Sequence, residues 1–314
     1  MTARFVFIFI ALLSLNISGC TNTQQDTLLE KTMAFGRHAV GFDVRTQDVG
    51  DVQMNYMERQ ADGPVVVLVH GFSANKETWL KLAAELPENY YLIAPDLAGH
   101  GETPAPDNGD YNLVRQAERI HALMAAKGIR RFHIAGNSMG GAISAIYATL
   151  YPQQLESLIL IDSAGVDAPQ PSLFMQSLAE GQNPLIATDK KSFEYRWNLI
   201  MEEPPFVPWP IRPAIVRKTI NRADINREIF SDMLATKETL NEKRFEQDLH
   251  RKVTMPTLIL WGEKDHILDV SAAGVFKQLI PQAEVTIYPE TGHVPQIEVP
   301  EETAASLVQF ISSL

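Results

Sequence analysis

Phe132-His133-Ile134-Ala135-Gly136-Asn137-Ser138-Met139-Gly140-Gly141-Ala142-Ile143 is the stretch from which the fold is read. The apolar run Phe132 to Ala135 has the character of a buried strand, and Ala142 to Ala148, apolar nearly all round, that of a buried helix. Between them Gly136-Asn137-Ser138-Met139-Gly140 matches G-x-S-x-G, whose serine sits on a sharp strand-to-helix turn. So tight a turn strains the serine backbone, and bulky side chains two residues before or after it would collide with neighbours. Glycine at both places answers that problem. The helix that follows aims its free N–H groups and dipole at the serine and favours negative charge there. Ser138 is therefore the candidate nucleophile, and the Met139 N–H a candidate oxyanion donor. The order Gly-x-x-x-Gly-Gly rules out the G-x-G-x-x-G dinucleotide fingerprint.

Outward from this turn the chain alternates strand and helix signatures, which predicts α/β architecture with a mostly parallel sheet covered on both faces. Val65 to Val69, Tyr91 to Ala94, Leu158 to Ile161, Thr257 to Trp261 and Val285 to Tyr288 repeat the short apolar run. Leu113, Ala117, Ile120 and Met124 recur at helical spacing, with Gly128 as the stop, and Pro152 closes the helix after Ser138. Glu301 to Leu314 reads as a terminal helix. The stretch from 166 to 251 breaks the rhythm with many prolines and amphipathic segments but no clear buried strand. It reads as an inserted helical cap over the carboxyl edge of the sheet, where ligands of open α/β sheets bind, dividing the core into residues 36–165 and 252–314.

A serine hydroxyl needs a base to attack at neutral pH, and the base needs an acid to orient it. Of the 8 histidines, His293 lies in Glu290-Thr291-Gly292-His293-Val294-Pro295, a loop directly after the last predicted strand. That is where the chain order serine, acid, histidine puts the base. His70 and His100 sit in loops nearer the amino terminus, and His38, His121, His133, His250 and His266 read as packed or exposed residues. Asp265, after the strand at 257–261, is the candidate acid; Glu263 and Asp269 in the same loop and Asp162 at the preceding strand end are its rivals. The second oxyanion donor is expected from His70-Gly71-Phe72, with the Phe72 N–H as the choice and Gly71 allowing close approach of backbone to substrate.

The 27 basic and 38 acidic residues give a net charge of -11, which argues against a nucleic-acid partner. Arg4 is followed by an apolar run from Phe5 to Leu13, the pattern of a secretory signal spanning 1–19. It is far shorter than the ~20 apolar residues of a spanning helix. Ile17-Ser18-Gly19-Cys20 resembles the bacterial lipobox, which implies cleavage before Cys20 and a diacylglycerol on its thiol. Cys20 is also the only cysteine, and the alternative is an ordinary signal peptide with an incidental thiol. Residues 20–35 then read as a polar tether, and Thr21 after the cysteine resembles sorting to the outer membrane. The expected location is the bacterial cell envelope, lipid-anchored.

Together the Ser138, Asp265 and His293 loops resemble the α/β-hydrolase superfamily from about Asp51 onward. His70-Gly71-Phe72, Asn137-Ser138-Met139-Gly140-Gly141 and Gly292-His293-Val294-Pro295 look like the cold-adapted bacterial lipases and esterases of Moraxella and Psychrobacter type. The resemblance implies hydrolysis of carboxylic esters through an acyl-enzyme, with no cofactor. No H-E-x-x-H or cysteine cluster offers a metal site either. Serine in place of aspartate departs from haloalkane dehalogenases and epoxide hydrolases. Carbon–carbon hydrolases with a similar triad are the alternative activity, and a non-catalytic binding protein on the same scaffold is the alternative from another class. Phe174, Trp197, Phe206 and Trp209 of the cap are candidates for the pocket that receives the acyl chain.

Overall fold

The structure, a computed structural model, describes residues 19–314, so the secretory-signal reading of the leader lies almost wholly outside the described residues. One sheet is built from β1 (Asp43–Asp48), β2 (Gln53–Arg59), β3 (Val65–Val69), β4 (Tyr91–Pro95), β5 (Phe132–Asn137), β6 (Leu155–Ile161), β7 (Thr257–Gly262) and β8 (Glu284–Tyr288). Their spatial order is β1-β2-β4-β3-β5-β6-β7-β8. The pairs β1 with β2 and β2 with β4 are antiparallel, and every other pair is parallel.

The helices preceding β6 are α1 (Asn22–Ala39), α2 (Leu80–Glu85), α3 (Leu113–Ala126) and α4 (Met139–Leu150). Between β6 and β7 come α5 (Leu173–Ala179), α6 (Lys190–Ile200), α7 (Ile211–Ile220), α8 (Ala223–Leu240) and α9 (Glu242–Lys252). This is the helical cap. After β7 follow α10 (Ser271–Leu279), α11 (Pro295–Glu298) and α12 (Pro300–Ser312).

Side chains of a strand alternate between faces, and here both faces are apolar. Val67 and Val69 of β3, Leu158 and Leu160 of β6, and Ile259 and Trp261 of β7 join one core with residues of α3, α4 and α10. Val66 and Leu68, Ile159 and Ile161, and Leu258 and Leu260 join the opposite core with residues of α2 and α12. Each such side chain, fully buried, contributes about 1.5–3 kcal/mol, which is why strands of this kind read as continuous apolar runs. The parallel register sets Val69 beside Gly136 and Asn137 beside Ile161, so the chain leaves β3, β5 and β6 at one common edge.

The amino-terminal segment departs from expectation. Residues 20–35, read as a polar tether, instead enter α1, whose start is closed by a reciprocal capping box between Thr21 and Gln24. Leu29 of α1 packs with Ile211 and Ala214 of α7. Arg217 of α7 donates to Gln25 Oε1 at 2.6 Å and Asp26 Oδ1 at 2.6 Å, and Arg37 pairs with Glu77. Polar composition hid a helix whose thin apolar stripe is covered by the cap rather than by the main core.

Candidate active site

Ser138 holds φ 58° and ψ -121°, a strained conformation for a residue with a side chain. Its backbone is clamped on both sides: Ser138 N donates to Ile161 O at 3.0 Å, and Ser138 O accepts from Gly141 N at 2.9 Å and Ala164 N at 3.0 Å. A Cβ on Gly136 would lie 2.1 Å from Gly140 O, and one on Gly140 would lie 2.1 Å from Val69 O. Only hydrogen fits at either place, so β5 and α4 meet at the serine. Among the described residues the Met139 and Phe72 amides donate to no protein acceptor, as two oxyanion donors require.

The Phe72 loop is held from behind. His70 Nδ1 lies 2.8 Å from Gly71 O, and His70 Nε2 accepts from Leu97 N at 3.0 Å, so Nδ1 carries the proton and donates. Burial pushes the His70 pKa down, which keeps the ring in this neutral form. The cap reaches the same loop: Asn226 Nδ2 of α8 donates to Ser73 Oγ at 2.9 Å, next to the left-handed Ser73 backbone (φ 57°). Phe230 of α8 packs edge-on against the Phe72 ring, with centroids 5.6 Å apart.

His293 and Asp265 come from separate loops at the same edge. His293 Nδ1 lies 2.7 Å from Asp265 Oδ2, and both side chains are buried. Asp265 Oδ1 accepts from Ile267 N at 2.7 Å and Leu268 N at 3.0 Å, which fixes the carboxylate plane. The His293 backbone is tied to the serine turn by Asn137 Nδ2, which donates to His293 O at 3.0 Å, and to the cap by its own N–H on Ile200 O at 2.8 Å. Glu298 Oε2 accepts from Glu202 N at 2.8 Å and Gly292 N at 3.2 Å, joining the loop to the end of α6. Among the described residues no hydrogen bond joins Ser138 Oγ to the ring.

Of the rivals for the acid position, Glu263 and Asp269 make no hydrogen bond to the ring among the described residues, Asp269 instead accepting from Ser271 N at 2.9 Å. Asp162 is fully buried beside Asp265, with Oδ1 accepting from Gly262 N at 2.9 Å. Burial and the adjacent Asp265 charge push its pKa well up.

The four cap aromatics separate. Phe174 is buried and packs on Phe230 at 6.3 Å, within the aromatic cluster that reaches Phe72. Trp197 instead stacks on Phe193 and under the Arg212 guanidinium, 5.1 Å away. Phe206 is 88% exposed and Trp209 49%, so these two lie on the cap surface. Phe230, Asn226 and Glu298 were missed in the sequence. The first two sit in a helix whose apolar spacing is that of any amphipathic segment, and nothing local marks Glu298 as a loop clamp.

Residues 64–300 match the family model described as alpha/beta hydrolase fold. The chain is 32% identical over 310 residues to Lipase 3 of Moraxella sp. (strain TA144), covering 97% of this chain and 96% of that protein. It is 32% identical over 312 residues to Lipase 1 of Psychrobacter immobilis, covering 98% and 96%. The crystal structure of a membrane phospholipase A, a bacterial virulence factor, superposes with a TM-score of 0.86 at 35% identity over 92% of each chain. With the eight-stranded sheet, the serine turn at the end of β5 and this coverage, the chain belongs to the α/β-hydrolase fold family.

Proposed function

We infer that the protein hydrolyses carboxylic esters of lipids through a Ser138 acyl-enzyme, with His293 as base and Asp265 as its orienting acid. The observation that carries the reading is the 2.7 Å contact of His293 Nδ1 with Asp265 Oδ2 in a loop bonded through Asn137 to the serine turn. With Nδ1–H donated to Asp265, Nε2 is left to take the Ser138 proton as Oγ attacks the ester carbon. The Phe72 and Met139 amides receive the negative charge that builds on the carbonyl oxygen. His293 then gives its proton to the departing alkoxide, and water releases the acid by the same steps with His293 again as base. Relatives named lipase over nearly the whole chain support lipid esters as the substrate, and carbon–carbon hydrolysis is not favoured.

Membrane attachment through an acylated Cys20 is part of the same reading. Among the described residues no helix is long and apolar enough to cross a membrane. Cys20 directly precedes the capping box of α1, which packs on α7, so acyl chains there would hold this side of the cap at the lipid surface. Ser138→Ala is expected to abolish p-nitrophenyl ester turnover and labelling by a fluorophosphonate probe, and undiminished turnover would refute the reading. Rates across esters of short to long acyl chains then place the substrate, and mass spectrometry of Cys20 from membrane extracts tests the anchor, an unmodified thiol refuting it.

A further inference from the structure

Asp162 is used by none of the steps above, yet it is buried in direct reach of them. It ends β6 with a left-handed backbone (φ 44°) and no exposed surface. One polar atom each of Asp162, Asp265 and His293 lies within 4.8 Å of the other two. Asp162 Oδ1 is held by Gly262 N, and Oδ2 is buried with no donor to receive among the described residues. A carboxylate would leave that oxygen charged, dry and unpartnered, which is a costly arrangement.

We propose that Asp162 is a positioning residue that donates a hydrogen bond, as a neutral carboxylic acid, to the Asp265 carboxylate behind His293. Two carboxyl groups this close in a dry site cannot both be charged, so one of them holds a proton. Asp265 has two backbone amides and the imidazole as partners, whereas Asp162 has the single amide of Gly262. The negative charge therefore resides on Asp265 and the proton on Asp162. Placed on Oδ2, that proton turns the orphan acceptor into a donor facing Asp265. The other groups facing Asp162 are Glu298 of α11, whose charge also favours the neutral acid, and the phenol of Tyr288 on β8. The upward push on the Asp162 pKa from burial and from Asp265 agrees with this assignment. The donated bond steadies Asp265 and shares its charge, which moderates how strongly the carboxylate holds the imidazolium formed in each step.

The inference rests on His293 as the base, and its test reads the proton separately from turnover. Asp162→Asn keeps a neutral donor of the same shape, with Oδ1 for Gly262 N and Nδ2 for Asp265. Its kcat/KM is expected within about threefold of wild type, with the acid limb of the pH profile unmoved. Asp162→Leu removes the donor, and the acid limb is expected to shift upward by about one pH unit. Infrared difference spectra of wild type against Asp162→Asn at neutral pH are expected to contain a protonated-carboxyl band sensitive to deuterium exchange. That band is visible whether or not the protein hydrolyses esters and whether or not the leucine variant folds. Its absence overturns the proposal. So does a fall in the asparagine variant of tenfold or more in kcat/KM with a moved acid limb, which marks an anion, and so does an unmoved limb in both variants, which marks a merely structural group.

Discussion

The neutral state of Asp162 has a consequence for folding that is independent of any substrate. In the unfolded chain this aspartate titrates near the ordinary value of about 3.9, whereas in the fold burial and Asp265 raise its pKa. A folded pKa above the unfolded one means that stability from this group is full at low pH and is lost as pH climbs toward the folded value. Within that window the folded state binds one more proton than the unfolded state, so unfolding gains about 1.4 kcal/mol per pH unit from this site alone. Asp162→Asn has no proton to lose. The stability of the variant relative to wild type should therefore improve as pH rises above about 4, by up to about 1.4 kcal/mol per pH unit until the raised folded pKa is reached. In a chain of this size 1.4 kcal/mol is about 2 °C in the difference between the two midpoints. Urea unfolding of both proteins across this range measures it directly. A stability difference independent of pH means that Asp162 is ionised in the fold, and the reasoning fails.

Asp265→Asn presents an amide to His293 Nδ1 and disturbs the tautomer, so kcat on a soluble ester should fall by about 10⁴-fold with KM little changed; a loss under tenfold would move the acid role elsewhere. Asn226→Ala removes the cap bond to Ser73 of the Phe72 loop. Its net worth of about 1 kcal/mol corresponds to roughly fivefold in kcat, read against an unchanged melting temperature to within a few degrees. Gly140→Ala places a methyl 2.1 Å from Val69 O, and a loss of folded, probe-reactive protein is expected in melting and fluorophosphonate assays. Cys20→Ser should move the protein from the membrane to the soluble fraction of cells while p-nitrophenyl ester activity persists.

What was legible in the sequence follows from burial on both faces. The six strands named from apolar runs are β3 through β8, five of them with neighbours on each side and β8 an edge strand with its own apolar run Val285-Thr286-Ile287-Tyr288, and the helices flanking them carry clear periodicity or caps. β1 and β2 were not singled out, because β1 is an edge strand of Asp43-Val44-Arg45-Thr46-Gln47-Asp48 lying largely exposed, and β2 mixes polar with apolar residues. α1 was mistaken for a tether because its apolar stripe is narrow and its cover comes from α7, nearly two hundred residues later in the chain. At the site, G-x-S-x-G and the loops after β7 and β8 carry local signatures, so the residues that the fold brings to one edge were nameable. The aromatics of the cap carry none: Phe174 and Phe206 look alike in sequence, while one is packed on Phe230 and the other is exposed. Asp162 was visible as a carboxylate near the ring, but its protonation depends on Asp265, Glu298 and dryness, which exist only in the fold.

The cap is commonly pictured as an accessory that only shapes the pocket of such a site, and the hydrogen bonds here argue for a larger part. The loop that carries His293 is tied to the end of α6 through Ile200 O and through Glu298, which also holds the Glu202 and Glu203 amides. The loop that carries Phe72 is tied to α8 through Asn226, and the neighbouring loop after β4 is tied to Arg222 at Gly99 O. Base and oxyanion donor are thus each bonded to an inserted helix, while the Ser138 backbone is held by β6, α4 and Ala164. Displacing α6 or α8 would release these bonds together with the cover they provide, whereas α7 and α1 contribute none of the bonds named here to either loop. α7 still bears on α6 through Arg212 over Trp197, so a shift of α7 reaches the His293 loop through its neighbour.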